Sequence, residues 1–286
     1  MLRTRSPIRP LQPADREAAL EICARDIASN VFVASRILDG AIENQPQALL
    51  AHRVGRHVDS LLWTTANVVP VETSPQSRDA FVERLRRSRR QVASILGPRD
   101  QVESIWSLVA PSWGQAREIR SRQPLAVTST PPSALGITLD RRVRRAQPGE
   151  AELVLPAAEH MFTHEIGYPP YIGSPRAYLA AIAGLIRRGH TYIATDTGPD
   201  GVERVIFKTD IGSAALGCVQ LQGVWLAPQL RGKGYAVPLI AAAVELVMRD
   251  VAQLVTLYVN DFNVPARAAY RRAGFVETGD LMTVLM

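Results

Sequence analysis

Residues 219–243, VQLQGVWLAPQLRGKGYAVPLIAAA, constrain the chain more than any other stretch. An apolar run closing on Val224, Trp225 and Leu226 reads as a strand. Pro228 cannot donate to a ladder and helps to stop it. Gln229-Leu230-Arg231-Gly232-Lys233-Gly234 follows, and from Tyr235 to Arg249 apolar residues recur at helical spacing. Glycines between a strand and a helix N-terminus let backbone N–H groups converge on an anion. The helix dipole adds a favourable field there, and Arg231 and Lys233 add charge. The residues by themselves describe a pyrophosphate cradle. Gly234 follows Lys233 where a GxxxxGK[ST] loop needs Ser or Thr, and Val237 rules out GxGxxG.

A second pattern lies downstream. Leu254 to Val259 is a short β-rich run, Asn260-Asp261-Phe262-Asn263 turns the chain, and Val264 to Arg272 reads as a short helix ended by Ala273-Gly274-Phe275. Asn263, Ala266, Tyr270, Gly274 and Phe275 fit N-x-x-A-x-x-x-Y-x-x-x-G-F. The first pattern, Q/R-x-x-G-x-G/A after a strand ending V-x-L-x-P, resembles the acetyl-CoA loop of the GNAT superfamily of N-acetyltransferases. The second resembles that family's other signature, at the usual short distance. The resemblance covers roughly residues 137–286 and implies a mixed α/β sheet, splayed between the strands before and after the loop, with CoA in the opening.

Length suits two domains, and no run approaches 18 apolar residues, so no membrane span is expected. The start, MLRTRSPIRPLQPADREAAL, is basic and has no apolar h-region, so a secretory signal is not expected. Cys23 and Cys218 make no disulfide framework, sit among apolar neighbours and fit a reducing cytoplasm. Residues 1–136 carry 18 Arg/Lys against 13 Asp/Glu, and residues 137–286 carry 15 against 14. The excess centres on Arg84, Arg86, Arg87, Arg89 and Arg90, which have few aromatics among them. That is a solvated helix face rather than a nucleic-acid surface. Lys208 and Lys233 are the only lysines, an Arg bias that resembles GC-rich bacterial usage.

The first half, residues 1–136, reads as a strand at Ile8–Leu11, then helices over Arg16–Ala28, with Asp15 as N-cap, and Val31–Gly40. His57–Val71 reads as two strands bent at Thr65-Ala66-Asn67, Ser77–Arg89 as a helix and Gln91–Leu96 as a strand. Gly97-Pro98-Arg99-Asp100 turns into a helix over Gln101–Ala110, and an extended run over Ala116–Ser129 reaches the linker Pro131-Pro132. This order is that of a GNAT unit, with Gly97-Pro98 standing where the phosphate loop would be but without the motif. The half therefore resembles a degenerate GNAT domain. The whole is similar to two-domain actinobacterial GNAT proteins with an uncharacterised N-terminal domain.

In the second domain, residues 137–286, Glu150–Glu165 reads as a helix running into MFTHEIGYPPYIGSP. In GNAT folds this segment walls the acceptor site, so the resemblance makes Tyr168, Tyr171 and Glu165 substrate-site candidates, facing a cleft between the halves. Acetyl-CoA brings an activated thioester, and the protein must hold it, position an amine, remove a proton and stabilise charge. The resemblance assigns CoA binding to Val224, Trp225, Leu226, Gln229, Arg231, Gly232, Lys233, Gly234, Tyr235, Ala236 and Asn263. It makes Tyr270 the acid that meets the leaving sulfur. The family often places a carboxylate on the strand before the loop, where this chain has Gln220 and Gln222. The base is then Glu165, Asp210, His164, a water chain or the terminal carboxylate of Met286, and Glu165 is preferred. His52, His57, His160 and His190 read as structural, and no Cys/His/Asp spacing suits a metal. The expected activity is acetyl transfer from acetyl-CoA to a primary amine on a small molecule, peptide or protein lysine, with room for a homodimer. The alternatives are a non-catalytic CoA-binding or interaction module, or a transferase using another acyl-CoA.

Overall fold

The computed structural model describes residues 7–87 and 92–286. Residues 1–6 and 88–91 lie outside them, so the expectations for the basic start, for Arg89 and Arg90 and for a strand beginning at Gln91 fall there in part. In chain order the first half runs β1 (Ile8–Pro10), α1 (Arg16–Ala24), α2 (Ile27–Leu38), α3 (Ala41–Asn44), β2 (Leu49–Val54), β3 (His57–Thr64), β4 (Asn67–Val71), α4 (Pro75–Arg87), β5 (Ser94–Pro98), α5 (Arg99–Trp113) and β6 (Glu118–Thr128). The second runs β7 (Arg144–Arg145), α6 (Ala151–Ile166), α7 (Arg176–Arg187), β8 (Thr191–Thr197), β9 (Glu203–Ala215), β10 (Cys218–Leu226), α8 (Ala236–Asp250), β11 (Leu254–Tyr258), α9 (Val264–Arg272) and β12 (Val276–Leu285). No helix among the described residues is long and apolar enough to cross a membrane.

All twelve strands form one mixed sheet in the order β1-β2-β3-β4-β5-β12-β6-β11-β10-β9-β8-β7. Replacing each strand by the one six places along reverses this order, so the halves repeat one topology about the centre of the sheet. The parallel pairs are β4 with β5 and β10 with β11, at equivalent places in the repeat. At the centre the halves exchange their last strands. β6 pairs with β11, Val255 opposite Thr128, and β12 pairs with β5, Leu281 opposite Pro98. β6 and β12 also pair with each other. The outer strands are short, three residues ending in Pro10 and two arginines, which leaves little edge for another chain to join.

The repeat corrects one expectation. The strand Leu49–Val54 does not show in the sequence, because LLAHRV is buried through its first four residues and lacks alternation. With it counted, the phosphate-loop position of the first half falls at Glu72-Thr73-Ser74, between β4 and α4. Gly97 and Pro98 instead end β5, against Met282 and Leu281 of β12. The first helices also divide earlier than expected: Asp26 caps α2 by accepting from the Ser29 amide (3.4 Å). Asp15 precedes α1, yet its carboxylate turns back to accept from the Gln12 amide (2.9 Å) and to pair with Arg53.

Three apolar clusters hold the sheet. One joins α6–α9 to β8–β11, with Phe207, Tyr192, Val244 and Phe275 among its members. A second packs α1 and α2 onto β3 and β4 and reaches Ala215 and Cys218 of the other half. The third packs α4 and α5 onto β5 and includes Met282 and Val284 of β12. Both cysteines are free and buried within the second cluster. Burial pushes each thiol up to about 12, reinforced by the charge of Glu72 at Cys23 and of Asp26 at Cys218. The thiolate is the reactive form. Ellman's reagent should therefore find no fast thiol in the native protein and two after unfolding in guanidinium. A rapid thiol at neutral pH would show that one of these walls opens.

Candidate active site

The glycine-rich stretch is built as a cradle. After β10 a 3-10 turn over Pro228–Leu230 leads through Arg231 to Gly232 (φ 73°) and Gly234 (φ 84°), both left-handed. A side chain at either would be strained, although the space beside each is open. Among the described residues no side chain caps α8, and none accepts from the amides of Gly232, Gly234 or Tyr235. The turn uses two neighbouring amides itself, Arg231 bonding to the Pro228 carbonyl (3.2 Å) and Lys233 to that of Leu230 (3.4 Å). Free donors, a helix N-terminus and open space fit the diphosphate of CoA. Gln229, Lys233 and Tyr235 are exposed around it and Ala236 begins α8, while Arg231 Nε donates back to the Leu226 carbonyl (3.1 Å). The equivalent loop of the first half is closed to an anion. Thr73 donates its amide and hydroxyl to Gln101 (2.9 and 2.7 Å), Ser74 its amide to Ser77 Oγ (2.9 Å), and Glu72 brings negative charge.

Beside the cradle the sheet opens. β10 and β11 pair only from Cys218–Leu254 to Gln220–Thr256, after which β11 stays with β6. Val224, Trp225 and Leu226 thus lie on a stretch of β10 that no strand covers on that side. The other edge of β10 carries a bulge: its register with β9 jumps from Gln222–Asp210 to Trp225–Lys208, with Gly223 at φ 59°. A pantetheine arm can lie along such an edge as an added strand.

Tyr270 and Glu165 lie close enough for the charge of one to act on the other. Asn263 caps α9 by accepting from the Ala266 amide (3.3 Å), which occupies the oxygen of its side chain. Gly274 (φ 97°) then reverses the chain so that the Phe275 amide bonds to the Tyr270 carbonyl (3.0 Å). Tyr270 is buried, packed edge-on against Phe275. Burial, and then the negative charge of Glu165, hold its phenol well above the ordinary value, so it stays protonated. Glu165 sits in the last turn of α6, which Gly167 ends in the left-handed conformation. Its side chain reaches solvent but is walled by protein, and desolvation raises its carboxyl against the opposing charges of Arg120, His164 and Lys208. A carboxyl raised in this way is a stronger proton acceptor than an ordinary carboxylate.

The other candidate bases are placed differently. Asp210 is buried, paired with Lys208 and accepting from Thr191 Oγ1 (2.8 Å). Freeing it would strand the Lys208 ammonium at a cost of about 3–5 kcal/mol. Met286 is tied by its amide to the Ala93 carbonyl (2.9 Å) and packs into the α4–α5 cluster. His164 is exposed, its ring 6.3 Å from that of His160.

The segment from the end of α6 to α7 is rich in aromatics. Tyr168 is exposed and stacks edge-on with Phe162, and Tyr171 donates to Glu159 (3.0 Å) beside Tyr178. Three features here were invisible in sequence. His160 Nδ1 accepts from the Trp225 indole (3.1 Å), a partner 65 residues away. Tyr258, at the end of β11 and 37% exposed, has its phenol raised by the protein around it and by the charge of Glu165. Arg117 and Arg120, just before and within β6, reach Tyr168 and Glu165 from the first half of the chain. A strand-end aromatic was the single available signal, for Tyr258.

Residues 178–275 match the acetyltransferase (GNAT) family, and residues 48–154 match a domain family of unknown function, DUF4081. Among solved structures, a Drosophila protein aligns at TM-score 0.68 and 15% identity over 98% of this chain and 99% of its own. A GCN5-related N-acetyltransferase from Sphaerobacter thermophilus aligns at 0.59 and 16% over 97% and 95%. A tandem GNAT protein from the clavulanic acid biosynthesis pathway aligns at 0.59 and 15% over 97% and 98%. At such identities the likeness is one of fold. Motifs, sheet and family match agree that the C-terminal part of this chain belongs to the GNAT acetyltransferase family, behind an N-terminal domain of the DUF4081 kind.

Proposed function

We propose that the protein transfers an acetyl group from acetyl-CoA to a primary amine by direct attack within a ternary complex. The observation that carries this is the cradle of free amides at Gly232, Gly234 and Tyr235, next to a stretch of β10 that no strand covers, in a chain where the charge of Glu165 acts on Tyr270. Acetyl-CoA supplies the activated thioester. The amides of Gly232, Gly234, Tyr235 and Ala236 hold the diphosphate, with Lys233 near, and the open edge of Val224–Leu226 orients the arm. Glu165 takes one proton from the incoming ammonium; the amine attacks the thioester carbonyl, the C–S bond breaks once the C–N bond has formed, Tyr270, protonated at neutral pH, donates to the departing sulfur, and the second proton shed by the nitrogen restores the phenol. Aromatic Tyr168 and Tyr171 flank the amine. The domains on this reading are residues 1–136 and 137–286, the first a GNAT-like unit with its loop closed, in a cytoplasmic protein.

The test is calorimetric titration with acetyl-CoA and with CoA, beside the Gly232→Glu, Gly234→Glu double variant. Wild type should bind at about micromolar Kd, some 8 kcal/mol. The variant, with strained backbone and two carboxylates in the cradle, should bind at least about a hundredfold more weakly. Binding then justifies a screen of amines followed by thiol release. No binding by wild type would overturn the reading.

A further inference from the structure

We infer that the N-terminal half completes the active site, and that Arg120 on its exchanged strand β6 is the positioning residue for Glu165. The inference rests on the reading of Glu165 as base. Arg120 Nη2 donates to the Glu165 backbone carbonyl (2.9 Å), one of the carbonyls that the end of α6 leaves without a helical partner. Arg120 is itself steered by Glu118, through Nε (2.9 Å) and Nη2 (3.4 Å), and its side chain is only 13% exposed. Arg117 lies over the Tyr168 ring at 5.5 Å, pinning the segment just beyond the same helix end.

The strand grips the donor side too. Arg122 pairs with Asp261 (2.6 Å) and Gln123 Nε2 donates to Asn260 (2.9 Å), in the turn that leads to Asn263 and the helix of Tyr270. One strand from the first half thus touches the mounting of the candidate base and that of the candidate acid. The groups facing Glu165 are Arg120 from β6, His164 from α6, Lys208 from β9, Tyr258 from β11 and Tyr270 from α9. Of these, Arg120 both bonds the backbone of Glu165 and favours its charged form.

The test compares full-length Arg120→Met, Arg120→Lys and Glu165→Gln proteins. It reads kcat and its pH profile with the amine that the screen returns, and the Glu165 carboxyl titration by 13C NMR, which needs no acceptor. Arg120→Met should lower kcat about tenfold or more, with the KM for acetyl-CoA unchanged. Loss of the cation should move both the acidic limb and the NMR titration to higher pH. Arg120→Lys keeps the charge and loses the fork, so the limb should stay while kcat falls. If Arg120→Met does not fold, Arg120→Lys decides, and wild-type kcat there overturns the positioning role. A folded Arg120→Met protein with unmoved limb and titration overturns it as well. Glu165→Gln retaining the acidic limb would sink the base assignment and this inference with it. Loss of that limb in Glu165→Gln, with Arg120→Met unchanged, would sink this inference alone.

Discussion

Residues 137–286 produced without the rest of the chain should be aggregated or unfolded and should bind no CoA. Such a fragment lacks β6, and with it one neighbour of β11 and of β12, and it lacks β5, the other neighbour of β12. Met282 and Val284, buried in the whole protein, would lose the α4–α5 surface that covers them. Exposing such a side chain costs about 1.5–3 kcal/mol, so two of them, together with the lost strand pairing, approach the roughly 5–15 kcal/mol that a domain has in hand. A fragment beginning at Glu118 restores β6 and should recover more secondary structure, though β12 would still lack β5. Circular dichroism and sedimentation read the result. A monomeric 137–286 fragment with cooperative melting and wild-type affinity for CoA would show that the exchanged strands are dispensable.

Tyr270→Phe should lower turnover about 10²- to 10⁴-fold while leaving the Kd for acetyl-CoA where it was. The substitution removes one oxygen from a buried ring and keeps the packing on Phe275. It should also lower the phenolate contribution to the alkaline limb, since the raised hydroxyl of the wild type deprotonates only well above neutrality. On the acid side, activity should fall as Glu165 protonates, at a pH above that of an ordinary carboxylate because desolvation disfavours its charge. Unchanged turnover in Tyr270→Phe would reduce Tyr270 to a packing residue. In that case a proton supplied by water, or by Tyr258, would be the reading to pursue.

The parts of this site that sequence exposes are those built from neighbours along the chain. Gly232 and Gly234 stand between strand and helix, and Asn263, Tyr270 and Gly274 share one short helix, so their geometry is set within a few residues. Glu165 was offered by the family resemblance of its segment, and it stands in the last turn of α6 before Gly167. What stayed hidden depends on distant pairing. LLAHRV carries no period, and its loss shifted the expected phosphate loop of the first half from Glu72–Ser74 to Gly97-Pro98. The bond from Trp225 to His160 and the reach of Arg120 to Glu165 come from sheet order, which no local pattern encodes. The exchange of β6 and β12 belongs to the same class: both strands look equally able to stay at home.

That exchange sets a timetable for the nascent chain. Ser94 can find its partner only when Leu285 has been made, so β5 leaves the ribosome with a bare edge and keeps it through most of synthesis. The first half cannot finish early and wait; the two halves close together, around a pairing between residues 191 positions apart. Folding of this kind is slow, because distant ends must meet before any contact rewards them. A stalled or truncated product would present β5 with one edge open, the kind of edge on which chains stick to one another.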